Sequence, residues 1–191
     1  RARPVQPATG AGGEVIDYQA LAASPCGWLT EAGPQDGVVL SSRVRLARNV
    51  TGTPFPQRAA PAQREALLGR LLGATAGLGA FAGGYHLALG QTEPVHRQLL
   101  GERQVTSGDL GGSSAGSGVA LSADTLVSCL VNEEDHLRQQ ALRPGLDLEE
   151  AWQACAALER ELAPCVEFAR SARLGFLTAC PTNLGSGLRG S

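Results

Sequence analysis

An apolar run at residues 126–131 gives way abruptly to charged side chains, and this transition restricts the fold more than any other feature of the sequence. The run reads Leu-Val-Ser-Cys-Leu-Val, and it is followed by Asn132, Glu133, Glu134, Asp135, His136, Leu137 and Arg138. A short apolar run bounded in this way is typical of a buried strand. Charge this dense at a strand end indicates a functional site, although a solvated turn is the alternative, since charge runs usually face water.

The rest of the chain alternates between strand-like and helix-like segments. Residues 119–121 and 125–131 flank the tight turn at 122–124, which predicts an antiparallel hairpin. Asp147 should cap the last helix, and Pro164 should kink it or end it early. The other predicted strands are at residues 38–48, 85–89 and 174–179, the helices are at 62–78, 94–102 and 147–168, a helical cap is at 26–30, and a glycine-serine loop is at 108–118. The sequence thus predicts an α+β fold, with a largely antiparallel sheet flanked by helices.

Length and composition favour one soluble domain. The chain has 191 residues, of which 43% are hydrophobic, and this is enough for a single substantial core. Residues 1–24 are rich in Ala, Gly, Pro and Gln without periodicity, so we predict a flexible leader there and a domain at residues 25–191. Since no apolar stretch approaches the ~20 residues of a membrane helix, we expect a cytoplasmic protein that binds no membrane. The net charge of -2 argues against nucleic-acid binding.

All 16 basic residues are arginine, because the sequence contains no lysine. This excludes a P-loop and the strand lysine of eukaryotic-type kinases, and it excludes the Schiff-base lysine of pyridoxal enzymes. Any phosphate must therefore be held by arginine, by backbone or by metal, and the planar guanidinium fork suits that work. Five cysteines, an odd number without a Cys-x-x-Cys pair, argue against a zinc site and a disulfide framework.

Two further segments carry polar residues. Residues 41–49 read Ser-Ser-Arg-Val-Arg-Leu-Ala-Arg-Asn, and the two-residue period of a strand places Arg43 and Arg45 on one face, where both can reach one anion. Residues 180–189 read Cys-Pro-Thr-Asn-Leu-Gly-Ser-Gly-Leu-Arg. Together with the acidic segment, these two segments resemble the motifs of the ATP:guanido phosphotransferases, the family of arginine and creatine kinases. The motifs have the same order and nearly the same residues. The resemblance runs from about residue 28 to residue 191.

Within that family, the sequence is most similar to the bacterial branch that phosphorylates arginine residues in proteins. Its motifs match the residues typical of that branch at positions 40–49, 54–56 and 177–183. Only about 40 residues precede the Ser-Arg-Arg strand, where phosphagen kinases carry a separate helical domain. The resemblance implies a kinase that uses ATP and Mg²⁺ and acts on protein substrates bearing arginine. It also implies an adaptor, or chaperone and protease machinery, as partners, and a homodimer as the assembly.

Phosphorylation of a guanidine needs a carboxylate, because a guanidinium with a pKa above about 12 is cationic and a poor nucleophile. Glu134 is the leading candidate for the catalytic base, with Glu133 or another group balancing charge, and the resemblance also implies that Glu134 is the catalytic glutamate. Cys180 matches the family's reactive thiol beside the guanidine site, although a lone cysteine at a strand end is otherwise an apolar filler. The residues matched to nucleotide binding, among which the four arginines clamp phosphates, are Ser41, Ser42, Arg43, Val44, Arg45, Gln104, Arg138 and Arg189.

The sequence departs from the family pattern at two places. Gln104 stands where a histidine is usual, and the family's segment after Arg189 has no counterpart, so we expect a fragment that lacks the C-terminal part of the catalytic domain. His136 either packs within the acidic turn or takes part in the site, and it is not assigned as a base.

Three alternatives to a protein-arginine kinase stay open. The first is a phosphagen kinase acting on free arginine or a related guanidine. The second is a non-catalytic relative that binds arginine or phosphoarginine. The third is a hydrolase, because residues 112–116 satisfy the Gly-x-Ser-x-Gly pattern, which needs a strand before it and a helix after it.

Overall fold

The computed structural model of the protein describes residues 16–106 and 115–191. Most of the loop predicted at residues 108–118 lies outside these ranges, as do Ser113 and Ser114 of the hydrolase-like pattern. The helices of the described part are α1 (Tyr18–Ala23), α2 (Gly27–Thr30), α3 (Pro61–Ala76), α4 (Pro94–Glu102) and α5 (Leu148–Leu162). Its strands are β1 (Ser41–Arg48), β2 (Tyr85–Ala88), β3 (Gly118–Leu121), β4 (Val127–Val131), β5 (Leu137–Pro144), β6 (Arg170–Ser171), β7 (Gly175–Phe176) and β8 (Leu188–Gly190).

Six of these strands form one sheet in the order β2-β3-β4-β5-β1-β8. Every neighbouring pair is antiparallel, and β6 and β7 form a separate two-stranded ribbon. The hairpin of β3 and β4 confirms the prediction made from residues 119–131. The α+β fold with a largely antiparallel sheet is likewise confirmed. None of the helices in the described part is long and apolar enough to cross a bilayer.

One face of the sheet, the helix face, is covered by α3 and α5. Apolar residues recur at helical spacing on both helices, and those that meet alternate residues of the strands are buried. The larger cluster is formed by Leu67, Leu68, Leu71, Leu72, Leu158 and Leu162 against Ala120, Cys129, Val131 and Leu137. Over β5 and β1, Ala151 and Cys155 of α5 pack on Val44, Leu46 and Ala141.

The opposite face is divided between a covered half and an arginine half. Over β2, β3 and β4, the helices α1 and α4 contribute Leu21 and Leu100 to a second apolar cluster. Residues directly opposite each other in antiparallel strands share a face. Arg45 is paired with both Arg189 and Gln140, and Arg138 with Ala47, so these side chains lie beside the cluster over β5, β1 and β8. We call this half the arginine face.

Most predicted helices agree with the structure. The helix predicted at 94–102 has those bounds, and α5 begins after Asp147, whose side chain accepts a hydrogen bond from the backbone N–H of Glu150. It ends at Leu162, before Pro164, as the proline predicts. The leader prediction needs correction at residues 16–24, because α1 lies there and both Ile16 and Leu21 are buried in the core.

Three strands, β5, β6 and β8, were not predicted, and one predicted strand was wrong in extent. β5 carries arginine and glutamine on both sides, and Gln139 is fully buried, so it lacks the alternation of a half-buried strand. β8 is a three-residue strand without an apolar pattern. The strand predicted at 174–179 was wrong in extent, because only Gly175 and Phe176 pair, with the ribbon partner β6.

Arg48 attaches the chain before β8 to the helix face. Its Nε and Nη2 donate to the two carboxylate oxygens of Glu159 at 2.7 and 3.0 Å, and its Nη1 donates to the carbonyl oxygen of Ser186 at 2.9 Å. The guanidinium is nearly inaccessible to solvent and lies 3.6 Å from the ring centroid of Phe176. This ion pair therefore holds both α5 and the segment that leads into β8.

We expect Glu159→Gln to lower the free energy of unfolding by about 3–5 kcal/mol, because it leaves a buried guanidinium without its counter-charge. Urea unfolding followed by circular dichroism measures the change. Glu149→Gln, on the exposed side of the same helix, is the matched control and should stay within about 0.5 kcal/mol. Equal stability of the two variants would mean that the Arg48 pair is not structural.

Candidate active site

A cleft of about 240 Å³ opens over the arginine face. Its lining residues are Arg45, Ala47, Glu134, Arg138, Cys180, Thr182, Asn183, Gly187 and Arg189. Five of them were assigned to the site from the sequence and come from all three motifs, which are distant along the chain. The antiparallel pairing of β5 and β8 with β1 brings the motifs together.

The guanidinium groups of the cleft repel one another. Burial, followed by the charges of Arg43, Arg138 and Arg189, lowers the pKa of Arg45 to about 10, although the nearby Glu133 carboxylate acts in the opposite direction. The pKa of Arg43 is lowered by burial first, and then by Arg138 and Arg189. Each guanidinium therefore stabilises an anion placed among them, because the anion offsets both the repulsion and the lost hydration.

Arg43, Arg45 and Arg189 suit a polyphosphate because no carboxylate of the described residues neutralises them. Across residues 16–106 and 115–191, no carboxylate lies within 4.0 Å of the guanidinium nitrogens of Arg43, Arg45 or Arg189. The Nε atoms of Arg43 and Arg45 are buried and make no hydrogen bond to the described residues. Buried donors of this kind are normally satisfied, so their state here indicates a ligand with several acceptor oxygens.

The acidic loop at residues 132–136 joins β4 to β5 and is closed by a hydrogen bond from the backbone N–H of Asn132 to the carbonyl of His136. Arg138, at the start of β5, reaches back to it. Its Nη2 lies 2.8 Å from Glu133 Oε2 and 3.5 Å from Glu134 Oε2. The Glu134 side chain is 39% exposed against 18% for Glu133, and Glu134 alone lines the cleft. Glu134 is therefore the carboxylate that can meet a substrate.

A buried polar network fixes this loop against the end of β1. Asn49 Nδ2 donates to Asp135 Oδ1 at 2.6 Å and to the carbonyl of Leu177 at 3.0 Å, while its Oδ1 accepts from the backbone N–H of His136. Asp135 Oδ1 also accepts from the backbone N–H of Ala179 at 2.7 Å. Asn49 and Asp135 thereby connect the loop that carries Glu134 to the segment that carries Cys180.

His136 is part of the same network and not of the cleft. Its Nδ1 accepts from the backbone N–H of Val50 at 3.0 Å, so its Nε2 carries the proton and donates to the carbonyl of Pro54 at 2.8 Å. The ring is fully buried, and this burial lowers the pKa of His136. The packing interpretation of His136 is thus the one that the structure favours.

Cys180 enters the cleft from the turn after Ala179. The Thr178 hydroxyl donates to the carbonyl of Cys180 at 2.8 Å, and Cys180 Sγ lies 3.0 Å from Thr182 Oγ1. The thiol is half-buried, and the short helical turn at Pro181–Asn183 follows it directly. Cys180 and Glu134 therefore line the same cleft from separate segments.

Gly187 sets the position of β8 and of Arg189. It adopts a φ of +63°, and a Cβ at this position would lie 2.6 Å from the carbonyl oxygen of Ala47. The backbone N–H of Ala47 donates to the Gly187 carbonyl at 2.8 Å. Only glycine combines this close approach with a left-handed conformation, so β8 meets β1 in register there.

Two residues assigned to nucleotide binding lie on the wrong side of the sheet. The Ser42 hydroxyl donates to the carbonyl of Gly145 at 2.8 Å and accepts from the backbone N–H of Asp147 at 2.9 Å, so it supports the start of α5. Val44 is buried in the core of the helix face. The two-residue period of β1 puts both of them opposite the arginines, whereas Ser41 shares the arginine side. Gln104 does lie near the clamp, because its Oε1 accepts from Arg43 Nη1 at 3.3 Å.

The sequence interpretation missed several residues of the site. Thr182, Asn183 and Gly187 line the cleft, and Asn49 and Asp135 hold its walls. All five lie inside the three motifs, so their position next to assigned residues could have identified them from the sequence. Gln57, whose Nε2 donates to the backbone carbonyl of Glu134 at 2.6 Å, had no such signal.

We expect Asn49→Ala to cost about 2–4 kcal/mol of unfolding free energy, because it removes three buried hydrogen bonds and leaves the Asp135 carboxylate with one backbone donor. Denaturant unfolding measures this loss. Gln153→Ala on the exposed surface of α5 is the control and should change stability little. If the two variants have the same free energy of unfolding, the network at Asn49 does not hold the acidic loop.

Comparison with known proteins agrees with this geometry. The family model for ATP:guanido phosphotransferase, C-terminal catalytic domain, matches residues 74–191. A protein-arginine kinase of Halothermothrix orenii is 41% identical over 164 residues, and one of Symbiobacterium thermophilum is 43% identical over 170 residues. Each match covers 86% of this chain and 47% of the relative. The chain thus spans about half the length of the curated relatives that it matches.

Solved structures give the same fold. The substrate-free duplicated taurocyamine kinase from Schistosoma mansoni superposes with a TM-score of 0.74 at 25% identity, covering 97% of this chain and 26% of that protein. A lombricine kinase superposes with a TM-score of 0.69 at 23% identity, covering 89% of this chain and 50% of that protein. Because the family model accounts for more than half of the chain, and the cleft unites the residues of all three motifs, the chain belongs to the ATP:guanido phosphotransferase family.

Proposed function

We propose that the protein transfers the γ-phosphoryl group of ATP to the guanidinium of arginine residues in proteins. The observation that carries the proposal is the cleft in which Glu134 faces Arg45 and Arg189, neither of which pairs with a carboxylate of the described residues. Phosphoryl transfer needs alignment and fixed positive charge more than covalent chemistry, and the arginine face supplies both. The protein-arginine kinases that match the chain at about 40% identity support this choice of acceptor.

In this proposal, the triphosphate lies against Arg43, Arg45, Arg138 and Arg189, and the acceptor guanidinium enters beside Glu134. Glu134 takes a proton from the guanidinium, which leaves a nitrogen lone pair able to attack the γ-phosphorus. The N–P bond forms while the bond from the γ-phosphorus to the bridging oxygen breaks. ADP leaves with that electron pair, and the arginines stabilise the charge that develops on it.

Cys180 and Glu133 have supporting parts in the proposal. Cys180 lines the cleft beside Glu134, where its polarisable sulfur helps to orient the cationic acceptor. Glu133 pairs closely with Arg138 and holds that guanidinium at the rim of the cleft. Both residues thus shape the site, while Glu134 alone is assigned the proton.

Mg²⁺ is proposed to arrive with the nucleotide. In the described ranges, no group of three or more His, Cys, Asp or Glu side chains suits a metal ion. Mg²⁺ in kinases keeps several waters and binds substrate phosphates, so it does not require a cage of protein ligands. When bound, it neutralises part of the phosphate charge, and the arginines of this chain act on the remainder.

The wider setting is also a proposal. The proposed enzyme is cytoplasmic and works as a homodimer, and family resemblance adds an adaptor or chaperone and protease machinery as partners. A phosphagen kinase is the second candidate function, because the solved structures that share the fold are named for taurocyamine and lombricine. The two candidates differ in whether the acceptor arginine is free or part of a protein.

The test uses the protein expressed from its complete gene, incubated with γ-labelled ATP, Mg²⁺ and either an arginine-rich protein or free arginine. We expect acid-labile label on the protein acceptor and little on free arginine. Label on free arginine alone would favour the phosphagen kinase. Binding of ATP with no transfer to either acceptor would contradict both and favour a non-catalytic arginine-binding relative.

A further inference from the structure

Arg43 is half-buried, and the group that holds it differs in kind from those that hold Arg48 and Arg138. Arg48 is held by the carboxylate of Glu159, and Arg138 by the carboxylate of Glu133. Arg43 instead donates from Nη1 to the side-chain oxygen of Gln104 at 3.3 Å. Since a guanidinium only donates, the oxygen of the amide must face it. The partner of Arg43 is therefore neutral.

A neutral partner matters because the positive charge of Arg43 is needed to bind phosphate. A carboxylate at residue 104 would orient the guanidinium, but it would also cancel its charge and compete with a phosphate for the same donors. The amide oxygen orients the guanidinium through one hydrogen bond and leaves the positive charge intact. Gln104 thus has the chemistry of a support for an anion-binding arginine.

The backbone of Gln104 is itself held in an uncommon conformation. Its φ is +60°, which costs energy for a residue with a Cβ and persists only where neighbouring contacts enforce it. Its N–H donates to the carbonyl of Gly101 at 2.9 Å, and its carbonyl accepts from Gln140 Nε2 at 2.5 Å. Gln140 lies opposite Arg45 in the sheet, so Gln104 is tied to the strands that carry the clamp.

Arg103, the preceding residue, ties this turn to the end of α1. Its side chain is buried, and Nη1 donates to the carbonyls of Leu21 and Ser24, both at 2.8 Å. Its Nη2 donates to the carbonyl of Pro25 at 3.3 Å. A guanidinium that caps the last carbonyls of a helix fixes both the helix and its own backbone. The turn after α4 is thus attached both to β5, through Gln140, and to the end of α1, through Arg103.

Resting on the proposed function, we propose that Gln104 and Arg103 are positioning residues for the nucleotide. Gln104 orients Arg43 toward the phosphates without neutralising its charge. Arg103 fixes the backbone at Gln104 through its hydrogen bonds to the end of α1. Neither residue accepts or donates a proton in the reaction. The effect of both is on ATP affinity, and it is transmitted through Arg43.

Two substitutions of Gln104 separate orientation from charge. Gln104→Met keeps the length of the side chain but removes the acceptor, and we expect the Kd of MgATP to rise about tenfold, in line with one charge-assisted hydrogen bond. Gln104→Glu keeps the acceptor but adds a negative charge, and we expect a rise of about a hundredfold because one phosphate-binding charge is cancelled. Thermal unfolding without nucleotide should show Gln104→Glu at least as stable as the wild type, since it gains a pair with Arg43.

The role of Arg103 is tested against a matched arginine of α4, the helix that ends just before Arg103. Arg97 Nη1 also donates to backbone carbonyls, those of Leu89 and Thr92, but no hydrogen bond among the described residues joins it to Arg43 or Gln104. We expect Arg103→Met and Arg97→Met to lower the melting temperature to a similar extent. Only Arg103→Met should also raise the KM for ATP, by about fivefold for the partial loss of one oriented guanidinium. The KM for the protein acceptor should stay unchanged in both.

The measurements are made by calorimetric titration with MgATP and by initial rates, on the protein expressed from its complete gene. A Gln104→Met variant that binds MgATP like the wild type would overturn the inference alone. So would equal KM values for ATP in the Arg103 and Arg97 variants. A wild-type protein that fails to bind MgATP would overturn the proposed function together with the inference.

Discussion

Glu134→Gln is expected to remove phosphoryl transfer while leaving the affinity for MgATP nearly unchanged. Glutamine keeps the size and hydrogen-bonding reach of the side chain but cannot accept the guanidinium proton at neutral pH. A positioned base contributes a factor of about 10²–10⁴ in rate, so kcat should fall by that amount. Arg138 keeps its closer partner, Glu133, at 2.8 Å, so the phosphate side of the cleft should remain in place.

The experiment measures kcat on a protein acceptor and the Kd of MgATP for the same preparation. Glu65→Gln, on the exposed surface of α3, is the matched control and should leave both values unchanged. Glu133→Gln gives a second comparison, because it disturbs Arg138 and should change ATP affinity more than it changes the proton transfer. Transfer at the wild-type rate in Glu134→Gln would show that the base is another residue.

Local features of the site could be read from the sequence because they depend on short-range geometry. The period of a strand places Arg43 and Arg45 on one side of β1, and this arrangement is confirmed by the burial pattern of the strand. The same rule, applied more strictly, would have excluded Ser42 and Val44 from the nucleotide site. The motif order indicated a shared site, but the resemblance to a family carried that step.

Long-range features of the site could not be read in the same way. Arg138 and Arg189 reach Arg45 only because β5 and β8 pair with β1, and neither strand has an apolar alternation that marks it. Gln139 is fully buried in β5, where a polar residue argues against a buried strand in any pattern analysis. Strand pairing across more than 90 residues is a tertiary property, so the sequence alone leaves it open.

A second large effect is expected for Arg45→Gln, which should weaken MgATP binding about a hundredfold, because a charge-assisted contact to phosphate is lost from a partly buried site. The stability of the protein without nucleotide should not fall. Burial and the neighbouring arginines lower the pKa of Arg45 to about 10, so its charge destabilises the folded state at neutral pH. This cost is fully present below pH 10 and is relieved only as the pH rises through that value.

Thermal unfolding at neutral pH with and without MgATP measures both parts. At a nucleotide concentration of about 100 times the wild-type Kd, the wild type should gain about 2.7 kcal/mol, whereas a variant with hundredfold weaker binding should gain only about 0.4 kcal/mol. Arg70→Gln, on the exposed surface of α3, serves as the control and should gain as much as the wild type. If Arg45→Gln unfolds more easily without nucleotide yet gains as much from MgATP as the control, then Arg45 is a structural residue and the arginine face does not bind the phosphates. A variant that is as stable as the wild type without nucleotide, but insensitive to MgATP, has lost binding alone, which is the result required of a residue whose charge is held in place for an anion.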